Sequence, residues 1–182
     1  MIICITGQMA AGKNFITSQY EKKGWLCLDA DEQVHSAIKK ASPQILKEFE
    51  KQAAAENITL KNPDGTLNRR NLGKLIFPHP ELLKKQESIV YPIIIEETKK
   101  IIKENSGRNI VLNATVLYKT PELLKMCDKI IFVKANFFVR LRRAIKRDRI
   151  PLRQILSRFW TQKNLFSEYK NTGIPLEIVD NN

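Results

Sequence analysis

The sequence predicts an α/β fold, a doubly wound and mainly parallel five-stranded sheet, on three observations. Short apolar runs of strand type alternate with helical patterns, a glycine-framed turn joins the first such run to the first helix, and a long middle stretch is helical. The five runs are 1–5, 25–28, 109–113, 129–134 and 176–179.

Between the first run and the first helix lies GQMAAGKN, residues 7–14, with a glycine at each end of a six-residue turn and Lys13 directly after the second. This is the spacing G-x-x-x-x-G-K-[ST] of a phosphate-binding loop, except that Asn14 stands where a Ser or Thr is usual. Glycines let the backbone wrap so that N–H groups converge on an anion at the positive end of the following helix. Gly7, Gln8, Met9, Ala10, Ala11, Gly12, Lys13, Asn14 and Phe15 are therefore expected to form a phosphate-binding site, with Lys13 on the outer phosphates. Asn14 offers a carboxamide oxygen as a weak Mg²⁺ ligand in place of the hydroxyl. The bland alternative is a glycine-bearing strand-to-helix turn with a solvated lysine, and the order of strand, turn and helix argues against it.

The chain has 182 residues, which suits one domain with room for subdomains. Lysine and arginine total 31 against 19 acidic residues, a net charge of +12. Such a balance points to a polyanionic partner: nucleic acid, an anionic membrane surface or a polyphosphorylated small molecule. The loop and the clustering of arginines in two short segments favour the last. No nucleic-acid or membrane partner is expected. No apolar run approaches a membrane span and the first strand starts at Met1, so a cytoplasmic protein is expected. The three cysteines, Cys4, Cys27 and Cys127, lack metal spacing and read as buried reduced thiols.

Along the chain, Phe15, Ile16 and Tyr20 recur at helical spacing until Lys22, Lys23 and Gly24 close the first helix. The second strand runs into Asp29-Ala30-Asp31. Asp29 with Glu32 has the form of a capping box for a helix over 32–40, which leaves Asp31 in the first turn at the ligand edge of the sheet. There Asp31 either takes the proton from an attacking hydroxyl or merely starts a helix.

Residues 41–106 lose the strand pattern. Ile45, Leu46 and Phe49 mark one helix, 62–65 a turn, and a further helix begins near Asn68 with Arg69 and Arg70 in its first turn. A cation pair there works against the helix dipole, which suggests that Arg69 or Arg70 serves a ligand. A longer pattern from Leu82 to Ile102 contains Pro92, which should kink or break it. Beyond the strands at 109–113 and 129–134, with a helix over 120–126 between them, comes a cationic helix. It has Phe137, Leu141, Ala144 and Ile145 on one face and Arg140, Arg142, Arg143, Lys146, Arg147 and Arg149 on the others. Arg153 and Arg158 follow in a helix starting near Pro151. These arginines form either a solvated face or a lid closing over triphosphate.

Taken together, GQMAAGKN, LDADEQVH, DGTLNRRNLGKLIFPHPE, ESIVYP, IVLN and RRAIKRD followed by RFWTQ resemble, in that order and over nearly the whole chain, the dephospho-coenzyme A kinase family. That family uses ATP to phosphorylate the ribose 3′-hydroxyl of dephospho-CoA in the last step of coenzyme A synthesis. The resemblance implies a P-loop kinase with a core of 1–30, 108–135 and 174–182, a helical acceptor-substrate subdomain over 31–107 and a helical lid over 136–173. It implies Asp31 as general base, Lys13 on the phosphates and Arg69 as a cation orienting the acceptor. Arg143 and Arg147 become lid arginines near the nucleotide, and Asn181 a residue near the adenine. ATP with Mg²⁺ and dephospho-CoA are the implied ligands, and a monomer or at most a weak oligomer the implied state. Departures from the family pattern are Asn14 for Ser/Thr, Tyr91 for a histidine before proline, and Asn113, Thr115 and Lys119 at the end of the third strand. Two further readings stand beside this one: a P-loop kinase for another nucleotide or nucleoside, and a non-catalytic nucleotide-binding homologue.

Overall fold

The computed structural model describes residues 1–148 and 150–182, so Arg149 lies outside the described residues. The chain divides into two compact units, one of Met1–Ala30 with Ile101–Asn182 and one of Asp31–Lys100.

The first unit is built on a sheet of order β2-β3-β1-β4-β5, formed by β1 (Ile2–Gly7), β2 (Leu26–Asp29), β3 (Ile110–Asn113), β4 (Lys129–Lys134) and β5 (Leu176–Asp180). Every pairing is parallel. In the three inner strands the residues run as continuous apolar stretches, not as an alternation, because both faces are covered: Ile3 to Ile5, Ile110 to Leu112 and Ile130 to Val133 are all buried. The second strand differs: its four residues are only half-buried, because β2 is an edge strand. Since β3 and β4 flank β1 on opposite sides, the strand order reverses at the end of β1, which is where open α/β sheets bind ligands.

Helices of this unit are α1 (Lys13–Glu21), α5 (Pro121–Leu124), α6 (Phe137–Asp148), α7 (Leu152–Thr161) and α8 (Leu165–Lys170), with a 3₁₀ turn at Leu117–Lys119. Helix α1 packs Ile16 with Ile3, Ile5, Val111, Ile131 and Val133, each such side chain contributing about 1.5–3 kcal/mol. Phe15, expected on that face, is 59% exposed; Thr17 is buried in its place. The face of α6 also differs from expectation. Phe137 and Ile145 are largely exposed, whereas Arg140 is buried beside Ala144, because polar partners for its guanidinium come from the loop after β1. The cysteines are free, with Cys4 and Cys127 buried and Cys27 half-buried.

The second unit is helical, with α2 (Ala30–Ala55), α3 (Arg69–Ile76) and α4 (Pro80–Glu104). Where two helices were expected over 32–49, one helix runs through Pro43. Its buried residues Ala37, Ala41, Ile45, Phe49 and Ala53 recur every four positions, and that continuous stripe outweighs the lost hydrogen bond. Likewise α4 continues through Pro92, with Gln86, Val90, Ile94 and Thr98 buried at the same spacing. The turn before α3 is closed by Asn62 N–H to the Thr66 carbonyl at 2.8 Å and by Asp64 Oδ1, which accepts from the Thr66 backbone and hydroxyl. Those bonds hold the Asp64 carboxyl below its ordinary range. Asn68 then caps α3, its side chain accepting from Asn71 N–H at 3.0 Å, and so sets Arg69 as the first helical residue.

Candidate active site

Strand β1 ends at Gly7, and the next residues fold back so that Ala11 N–H reaches the Gln8 carbonyl at 3.0 Å. Ala10 and Gly12 take left-handed backbone angles, φ of 61° and 97°. Gly12 is the N-cap of α1, with no side-chain cap hydrogen bond among the described residues, which suits this end of the helix to an anion. Lys13 is the first helical residue and half-buried. The local geometry is that of a cradle for phosphate.

Four residues from later in the chain hold this loop. Asn181 Nδ2 donates to the Ala11 carbonyl at 2.9 Å, and Arg143 Nη1 donates to the Asn181 carbonyl at 2.7 Å. Gln162 accepts from Met9 N–H through Oε1 at 2.6 Å and from Gln8 Nε2 through its carbonyl at 3.2 Å. Arg140 donates through Nε to the Met9 carbonyl at 2.9 Å and through Nη1 to Gln8 Oε1 at 2.7 Å. A Cβ at Gly12 would lie 2.0 Å from Asn181 Nδ2 and displace that side chain, in addition to straining the left-handed φ. Arg147 pairs instead with its neighbour Asp148, at 2.5 and 3.0 Å, and that contact lowers the Asp148 pKa.

At the ends of β1, β2 and β3 lies a cavity of about 170 Å³ lined by Asn14, Thr17, Glu21, Cys27, Asp29 and Asn113. The strand register sets Asp29 beside Asn113 and Asn113 beside Ile5. Asn113 Nδ2 donates to Asn14 Oδ1 at 3.0 Å and to Asp29 Oδ2 at 3.1 Å, while its buried Oδ1 has no partner among the described residues. An orphaned oxygen beside a carboxylate and a second amide oxygen is a hard-donor set that suits Mg²⁺. Among the described residues there is no group of three or more His, Cys, Asp or Glu side chains that could hold a metal, so such an ion would keep several waters.

A second opening of about 440 Å³ lies where β4 and β5 end, between Gln8, Phe132, Lys134, Asn136, Phe166 and Asn182. Its size suits a nucleoside. Nearby, Tyr169 of α8 is buried; its hydroxyl accepts from Leu117 N–H at 2.8 Å and donates to the Thr115 carbonyl at 3.1 Å, which Thr6 also engages. Tyr169 thus fixes the loop after β3 at the ligand edge.

Asp31 and Arg69 belong to the second unit. Asp31 is exposed in the first turn of α2, with His35 four residues on and so on the same side of the helix. Arg69 Nη2 is 2.6 Å from His35 Nε2, which must be unprotonated to accept. This unit also has a cavity of about 550 Å³ lined by Leu46, Ala53, Ile58 and Leu60 among others, and none of Asp31, His35 and Arg69 lines it.

The sequence model described as dephospho-CoA kinase matches residues 1–181. This chain belongs to the dephospho-CoA kinase family. A dephospho-CoA kinase of Treponema denticola is 38% identical over 185 residues, covering 100% of this chain and 82% of that protein. One from Treponema pallidum is 32% identical over 170 residues, covering 92% and 80%. Among solved structures, a Thermus thermophilus protein superimposes with a TM-score of 0.82 at 22% identity, covering 100% of this chain and 88% of that one. A dephospho-CoA kinase from Campylobacter jejuni gives 0.65 at 18% identity with the same coverages. These superpositions bear out the P-loop kinase fold, and the family bears out the expected enzyme class, an ATP-using phosphotransferase of coenzyme A synthesis. Among the described residues no helix of this kinase is long and apolar enough to cross a membrane.

Residues described above to which the sequence reading gave no role are Gln162 and Tyr169 in the first unit and His35 in the second. Gln162 lies in the segment RFWTQ, whose order carried the resemblance, but nothing local shows that its amide reaches Met9.

Proposed function

We propose that this kinase transfers the γ-phosphoryl group of ATP to the ribose 3′-hydroxyl of dephospho-CoA, with Asp31 as the general base. The observation that carries the reading is the loop from Gly7 to Lys13, closed on a helix N-terminus that no side chain caps. In this scheme the loop N–H groups and Lys13 bind the outer phosphates, and Arg143 and Arg147 act from the lid over 136–173. Arg147 exchanges its contact with Asp148 for phosphate. Arg69, in the acceptor subdomain over 31–107, orients dephospho-CoA, and Asp31 takes the proton from the attacking oxygen as it bonds to phosphorus and ADP leaves.

Mg²⁺ would be held by Asp29, Asn113 Oδ1 and, weakly, Asn14 Oδ1, and when bound would neutralise charge on the phosphates. The base of ATP fits the opening between Phe132, Lys134 and Phe166, which leaves Asn181 bracing the loop beside it. The net charge serves two polyanionic substrates. A cytoplasmic monomer is the working state we assign.

ADP release from ATP, with and without dephospho-CoA and across Mg²⁺ concentrations, tests this. Acceptor-dependent turnover is expected, falling by roughly 10²- to 10⁴-fold in Asp31→Asn. Turnover equal in the two proteins would remove Asp31 from its role. One observation favours a second reading, a nucleotide-binding homologue without transfer: the neutral amide of Asn113 donates to Asn14 Oδ1, so the oxygen that stands in for the usual hydroxyl already accepts a hydrogen bond. It predicts ATP binding indifferent to Mg²⁺ and no ADP.

A further inference from the structure

Arg140 has an environment unlike that of a solvated or lid arginine. It is 6% exposed, in the first turns of α6, with its guanidinium 4.3 Å above the Phe159 ring of α7. Nε and Nη1 hold Met9 and Gln8 of the phosphate loop, while Nη2 is buried without an acceptor among the described residues. No carboxylate among the described residues pairs with it, and burial alone shifts its pKa, downwards. A guanidinium stays charged, so this is a buried cation whose counter-charge the described residues do not supply. A neutral side chain could donate to the same carbonyl without that cost. From the other side Gln162 takes Met9 N–H and touches Gln8, so both backbone groups of Met9 are fixed by side chains from beyond residue 139.

We propose that Arg140 is a positioning residue of the phosphate loop, and that the polyphosphate of the bound nucleotide completes its unpaired buried charge. The loop is held by Arg140 and Gln162, and the anion seated in it supplies the missing partner by proximity. This rests on the loop being the ATP phosphate site, and it concerns binding, not transfer. Arg140 reads out as a residue that makes the unliganded protein less stable than it could be and the liganded one more so.

The test is thermal unfolding of the full chain, native, Arg140→Gln and Arg140→Lys, without ligand and with inorganic tripolyphosphate or ATP. The ligand-induced rise in Tm is expected to shrink by at least half in Arg140→Gln and to be largely retained in Arg140→Lys, with ATP affinity about tenfold weaker in the Gln variant and the KM for dephospho-CoA unmoved. A Gln variant with the native ligand-induced rise would overturn the proposal, whatever its unliganded Tm, since a purely structural arginine changes only the latter. If Arg140→Gln does not fold, Arg140→Lys decides: loss of more than half of the native rise overturns it, and retention supports it provided uncharged adenosine gives the native protein no comparable rise. Failure of the kinase reading is distinguishable, since it leaves these rises intact and shows as no acceptor-dependent ADP.

Discussion

The Asn113 amide donates to Asn14 Oδ1 at 3.0 Å, so the residue that departs from the usual Ser/Thr of the phosphate loop is bonded to the residue that ends β3. The same amide also donates to Asp29, which makes it the neutral bridge between a loop oxygen and a carboxylate.

Asn113→Asp removes that donor and sets a second carboxylate beside Asp29. Stability without metal should fall by about 1–3 kcal/mol, as for a buried hydrogen-bond partner lost, and Mg²⁺ should recover part of it. Urea unfolding with and without Mg²⁺ measures both. A variant as stable as the native protein in chelator would show that the bridge contributes little.

Pairing Asn14→Ser with Asn113→Asp should lower the Mg²⁺ concentration that half-saturates turnover, by severalfold relative to the native kinase, because a hydroxyl and a carboxylate replace two amide oxygens. Steady-state rates against Mg²⁺ provide the check. An unchanged midpoint would place the ion away from these residues.

Gly7→Ala should be more damaging than Gly12→Ala. A Cβ at Gly7 would lie 2.3 Å from the Val133 carbonyl, backbone fixed in the β1–β4 ladder, whereas at Gly12 the obstacle is the Asn181 side chain. Left-handed strain at Gly12 alone costs about 1–3 kcal/mol. Comparative thermal unfolding ranks the two, and the reverse order would contradict this account of the loop.

Arg69→Gln should raise the KM for dephospho-CoA roughly ten- to hundredfold, the size of a lost charge-assisted hydrogen bond, with little change in the KM for ATP. Initial rates with each substrate varied separate the two constants. A change confined to ATP would move Arg69 to the nucleotide.

Burial pushes the Cys27 thiol up to about 11, with the charge of Glu21 adding to it, and the Cys127 thiol up to about 12, with Asp128 adding. Both folded values lie above the ordinary value near 9, so the unfolded chain loses these protons first. The stability linked to them is full below pH 9 and is lost as pH rises through 11 and 12. The urea midpoint should drop between pH 8.5 and 11, and Cys127→Ala should drop less over the same range. Parallel curves would mean that other groups govern the alkaline limb.

Much of the fold was legible because its signals are local. The loop 7–14 is a spacing, each inner strand is a short apolar run, and Asn68 ahead of Arg69 is a cap. What escaped depends on distant partners. Helix α8 is six residues long, too short for a period to show, and its part in the site rests on one hydroxyl meeting the segment after β3. Helix α2 crosses Pro43 because a stripe of buried residues outweighs a local breaker. The buried side of α6 was misjudged because Arg140 finds its acceptors 131 and 132 positions earlier. The adjacency of Asp29 and Asn113 comes from strand register, which the residues of either strand alone do not fix.

The bonds that brace the first glycine loop come from Arg140, Gln162 and Asn181, between 131 and 170 positions downstream. During synthesis, at about 5–20 residues per second, separations of that length put roughly 7–34 s between the loop and its supports. The amide that meets the Ala11 carbonyl is made 170 positions after it, so the loop is synthesised well before the side chain that braces it.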